Sequence, residues 1–125
     1  MSDIKNIQRD IEELATSWGE ALVIGNHRMA NKKNSAVTKI AKEFKKDKKL
    51  GESILVPLFQ HPNASVRLLA SVHALDQGIH IEEAEDTLIN LAKDQNIHVI
   101  QLMAQINLAQ WDKKKTVSKS KDEPD

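Results

Sequence analysis

Displaced by 33 residues, the segment ILVPLFQHPNASVRLLASVHAL (54–75) lies over TLINLAKDQNIHVIQLMAQINL (87–108). Leu55 then coincides with Leu88, Leu58 with Leu91, Asn63 with Asn96, Val66 with Val99, Leu69 with Leu102 and Leu75 with Leu108. The apolar matches recur at helical spacing, and the asparagine stands at the break between two apolar runs. Each copy therefore reads as helix, joint, helix. A unit of this kind with a period in the thirties cannot bury its apolar face alone and stacks on its neighbour, which is the plan of an α-solenoid.

The joint of the first copy can be read residue by residue. His61 precedes Pro62 and is biased away from helical geometry, so the short apolar helix GESILVPLFQ (51–60) stops there. Pro57 would cost about 3 kcal/mol in a helix interior unless it sits near a first turn or a kink. Asn63 is placed to cap a new helix that runs to about Gln77 and closes at Gly78. Pro62, Asn63 and its counterpart Asn96 are read as structural. Arg67, just inside the new helix, is expected to reach from one repeat to the next through a hydrogen bond or ion pair.

Upstream, Ile4, Ile7, Ile11, Leu14, Trp18, Ala21 and Leu22 form one stripe on a long helix, with Asp3 as its N-cap and Gly25–Asn26 at its end. Ala30, Val37, Ile40, Ala41 and Phe44 give a second helix over about 27–46. The run KKDKKLGE breaks that pattern and reads as an exposed connection. Aromatic residues make up 3% of the chain, so Leu, Ile, Val and Ala must fill the core, which favours helices over strands. Trp18 and Trp111 read as core or capping residues at opposite ends. The expectation is an all-α domain of about six helices over 1–111, a short α-α superhelix, followed by a polar, disordered tail over 112–125.

The formal net charge is zero, but it is unevenly spread. Residues 1–25 carry −3, 26–50 carry +7, 51–111 carry −5 and the tail +1. The densest acidic run is IEEAED (81–86). A helix N-terminus accounts for one or two of Glu82, Glu83, Glu85 and Asp86, and the surplus, with Asp76, suits docking to a basic partner. The lysines Lys32, Lys33, Lys39, Lys42, Lys45 and Lys46 offer the alternative of a nucleic-acid contact. No aromatic residue but the core-facing Phe44 interleaves with them, so base stacking has no support.

Chemistry is sparse. There is no cysteine, hence no disulfide, thiolate metal site or cysteine nucleophile. His27, His61, His73, His80 and His98 include no pair at zinc-helix spacing, and the four glycines build no phosphate loop. A non-enzymatic protein with no cofactor, no metal and no small-molecule substrate is expected. No stretch reads as a signal peptide or a membrane span, so the expected setting is the cytoplasm, without a membrane partner.

ANKKNSAVTKIAKEFK (30–45), followed by LVPLFQHPNASVRLLASVHAL, resembles a bacterial family of short HEAT-like helical-repeat proteins, a domain of unknown function. Its members show an Ala-Asn-Lys/Arg segment, a Leu-Pro-Leu-Leu, His-Pro-Asn, Val-Arg-Leu run and a closing tryptophan, matched here by Trp111 over about 20–111. The chain departs from the pattern at Asn34 and Ser35, where an aromatic residue and an aspartate are usual. It departs again at Leu69, Ala70 and Ser71, in place of Trp-Ala-Ala. The resemblance implies a HEAT-like α-helical fold and no established enzyme activity. It further implies kinship with the small immunity proteins that bind and block a cognate toxin domain, as in contact-dependent growth inhibition. The remaining alternative is a scaffold or self-associating adaptor.

Overall fold

The computed structural model describes residues 2–122 and is all-helical, with six α-helices and no strand among the described residues. They are α1 (Ser2–Val23), α2 (His27–Lys42), α3 (Lys48–Leu55), α4 (Ala64–Gln77), α5 (Ile81–Lys93) and α6 (Val99–Asp122). Tight 3-10 turns at Glu43–Lys45, Val56–Gln60 and Gln95–Ile97 extend or join them. Neighbours in sequence are neighbours in space: α1 packs on α2, α4 on α5, and α5 on α6. Helix α4 is central, touching α1, α2, α3, α5 and α6.

Local chemistry sets the boundaries. At the end of α1, Gly25 turns left-handed (φ 75°), its N–H donates to the Leu22 carbonyl, and the Asn26 N–H donates to that of Ala21. These two bonds satisfy carbonyls the helix end would otherwise leave bare. Asn26 then caps α2, its side chain accepting the Met29 N–H at 3.1 Å. Asp3 lies inside the first turn of α1 instead of capping it. The same left-handed closure recurs at Gly78, where the Ile79 N–H reaches the Ala74 carbonyl at 2.8 Å and the Ile79 side chain is buried.

Two internal boundaries also differ from those expected. The KKDKKLGE segment is not a connection throughout, because Asp47 accepts the Leu50 N–H at 3.1 Å and starts α3 at Lys48. The crowd of lysines hides a good capping residue. Pro57 falls at the start of the 3-10 turn that follows α3, where its missing N–H leaves no helical bond unmade.

The core joins Ile11, Ala15 and Trp18 of α1 to Ala30, Val37 and Ala41 of α2, and to the leucines of α3, α4 and α5. Two glycines let helices close up. A Cβ at Gly19 would overlap the Ser65 hydroxyl at the head of α4, and one at Gly51 would meet Phe44 and Ile79.

The repeat holds more firmly in the first helix of each unit than in the second. Leu55, Leu58, Leu88 and Leu91 are all buried. Val66, Leu69 and Leu75 are buried too, but Val99 and Leu108 are only partly covered, and Leu102 is exposed. Residues from Asp112 to Asp122, expected as part of a disordered tail, continue α6, while 123–125 lie outside the described residues. Two contacts account for the start of that extension: Lys115 reaches Glu85 at 2.9 Å and Lys114 stands 3.8 Å from Asp76.

Candidate functional site

Helix α5 carries the acidic run, and its start is unusual. His80 precedes it in a left-handed conformation (φ 41°, ψ 56°), its carbonyl accepting the Ala84 N–H at 2.9 Å. Its ring takes up the neighbouring carboxylates, with Nδ1 3.1 Å from Glu83 and Nε2 3.9 Å from Glu52 on α3. Glu82 and Glu83 occupy the first turn, where the amide ends of the helix favour negative charge. Ala84, Leu88 and Leu91 bury the inner face and fix which acids look outward.

The five acids singled out in the sequence fall into two groups. Glu82, Glu83 and Asp86 are exposed on the outer side of α5. Glu85 turns instead towards α6, where the Trp111 indole Nε1–H donates to its Oε2 at 2.6 Å and the Lys115 ammonium donates to the same oxygen at 2.9 Å. The Lys115 hydrogen bond, then that of Trp111, hold its carboxyl below the usual glutamate range. The same contact raises the Lys115 ammonium. Asp76, at the end of α4, belongs to this seam through Lys114. Glu85 and Asp76 thus fasten α6 to α5 and α4.

Sequence reading missed how the outer face continues. Glu82, Asp86 and Asn90 recur every four residues along α5, and Asp94, its C-cap, continues the ridge to roughly 18 Å. The last three border a groove whose other wall is Gln60 and Arg67. The four-residue recurrence is the signal in the sequence that could have found Asn90 and Asp94. Among the described residues, no cation lies within ion-pair distance of Glu82 or Asp86.

Arg67 does not bridge two repeats. Its guanidinium donates to the carbonyls of His61 at 2.7 Å and Pro62 at 3.2 Å, clamping its own joint. Asn63 caps α4 as expected, accepting the Ser65 N–H at 2.8 Å. Asn96 does not cap. It lies in the 3-10 turn and its N–H donates to Asp94, the capping side chain there, at 3.0 Å. Trp18 is in the core, and Trp111 is a partly buried cap over α5.

The basic alternative is also assembled in part. Lys32, Lys39 and Lys42 are exposed and share, with Arg28, the side of α2 opposite Ala30, Val37 and Ala41. Lys33 is half-buried and borders a groove with Asp10 and Glu13 of α1. Lys45 and Lys46 are exposed past the end of α2, and Phe44 between them and the helix is buried.

No family model, curated protein or solved structure matches the chain. No described helix is long and apolar enough to cross a membrane.

Proposed function

We propose that this chain is a non-enzymatic, cytoplasmic protein-binding module, and specifically an immunity protein that blocks a cognate bacterial toxin domain by covering its active site. The observation that carries the reading is the α5 ridge: Glu82 and Asp86, with Glu83 beside them, held on a helix anchored by a buried inner face and continued by Asp94 just past its end. A rigid ridge on which Glu82 and Asp86 have no ion-pair partner among the described residues speeds encounter with a basic surface and rejects an acidic one. A nuclease, whose cleft must attract phosphates, is the toxin class this charge fits. The family resemblance adds the immunity role.

Co-expression with the C-terminal domain of the protein encoded immediately upstream tests the role, read as growth rescue and as one-to-one calorimetric binding. Absence of both overturns it. With binding in hand, replacing Glu82, Glu83 and Asp86 by lysine should slow association by roughly tenfold or more at low salt and flatten its salt dependence. An unchanged on-rate removes the ridge from the interface.

A second reading has one observation in its favour, the stripe of Arg28, Lys32, Lys39 and Lys42 on α2. It requires nucleic-acid binding that weakens steeply with salt, and no mobility shift with duplex or single strands at low salt would dispose of it.

A further inference from the structure

Helix α6 is apolar on two opposite sides. Its inner arc holds the buried Ile100 and Ala104 and the partly buried Trp111. Its outer arc, about 100° wide, holds Val99, Leu102, Ile106, Ala109 and Gln110. Val99 at its start packs partly on the core, but among the described residues nothing encloses Leu102, Ile106 or Ala109, and Leu102 is 54% and Ile106 42% exposed.

The repeat gives this face a reference. Thirty-three residues earlier, on α4, the same two positions are Leu69 and His73, only 3% and 5% exposed, because α4 has helices on every side. Helix α6 therefore carries the pattern of a helix covered all round, yet the fold covers it on one side alone.

Charge decides what covers the other. Across a two-fold axis each group meets its own copy, so a face with net charge of one sign repels itself. The α5 ridge and the α2 stripe both do so. From Val99 to Trp111, α6 has no charged residue at all, and the arc is flanked by the amides Gln105 and Asn107. We propose that this face pairs with the same face of a second copy, α6 lying antiparallel to α6 about a two-fold axis near Ile106. Leu102 of each copy then packs beside Ala109 of the other. The pairing leaves Glu82, Glu83 and Asp86 open, so it goes beyond the toxin-binding reading and stands or falls separately from it. A contact roughly 20 Å long on one helix lies at the small end of specific interfaces, which implies a dimer of about micromolar affinity.

Sedimentation equilibrium of the full chain from about 1 to about 500 μM tests this, with the average mass expected to climb from one copy to two. Leu102→Glu should raise the dimer dissociation constant by roughly 100-fold or more, since the change is met twice across the axis, while circular dichroism stays as in the parent. The absence of native cysteine permits a second probe. Ile106→Cys should oxidise readily to a covalent dimer, and Val23→Cys, exposed at the far end of α1, should not. A constant monomer mass, a dimer indifferent to Leu102→Glu, or growth past two copies would each overturn the arrangement.

Discussion

At the first joint, the Asn63 N–H donates to His61 Nδ1 at 3.0 Å, its side chain caps α4, and Arg67 ties down two carbonyls of the turn. At the second, Asp94 accepts the Asn96 N–H, and the chain enters α6 through His98, whose backbone has a positive φ (φ 43°, ψ −108°). The two joints hold the same kind of helix pair with different polar parts. Leu55, Leu58, Leu88 and Leu91, by contrast, keep their positions and their burial. Apolar spacing sets where helices meet, whereas a turn's backbone groups accept any side chain that satisfies them. The cost of the second solution is a non-glycine residue outside its favoured backbone region, on the order of 1–3 kcal/mol.

The widest gap between the units lies in their second helices. Leu69→Ala should lower unfolding free energy by about 2–4 kcal/mol, because α4 cannot collapse into the space. The equivalent Leu102→Ala should cost less than about 0.5 kcal/mol in dilute solution, where its side chain is hydrated before and after. Urea melts at low micromolar protein measure both. Equal losses would mean that α6 is enclosed within a single chain, which would also remove the reason for a second copy to dock there.

The joints themselves should separate by a smaller margin. Asn63→Ala and Asp94→Ala each remove a capping acceptor and should cost about 1 kcal/mol. Asn96→Ala, which keeps the backbone N–H that Asp94 accepts, should be close to neutral. A loss at Asn96 as large as at Asn63 would show the two joints to be chemically alike after all.

This second contrast marks where the sequence is a good guide and where it is not. Ala30, Val37, Ala41 and Phe44, or Asn63 and Gly78, are legible because periodicity, caps and left-handed closures act within a few residues. Asn96 was misread because identity with Asn63 stood in for geometry, although an equally good acceptor, Asp94, lies two residues away. The candidate site was legible as charge but not as surface. Whether Glu85 faces a partner or Trp111 depends on the register of α5 against α6, 26 residues apart, and only packing fixes that.

Acid offers the finest comparison, since the fold displaces the titration of His73 on α4 and of Glu85 on α5. Burial in α4 lowers the pKa of His73 below its ordinary 6.5, outweighing the pull of Asp76 in the other direction. Above 6.5 the ring is neutral in both folded and unfolded chains, so stability there is complete. As the pH falls below 6.5 the unfolded chain takes up a proton that the buried ring resists, and stability declines until the lowered folded pKa is passed. Glu85 acts in a lower window. Lys115 and Trp111 favour its charged form, so its contribution is complete above 4.5 and fades as the pH drops from there through the lowered folded value. Its side chain is 26% exposed, and solvent screening makes this the weaker of the two effects. Thermal melts between pH 7 and pH 3 should therefore show two declines. His73→Leu should flatten the one that begins near 6.5 and leave the other, and Glu85→Gln should do the reverse. If either substitution flattened both, the two units would be one titrating assembly, and the separate anchoring of α4 and α6 would have to be abandoned.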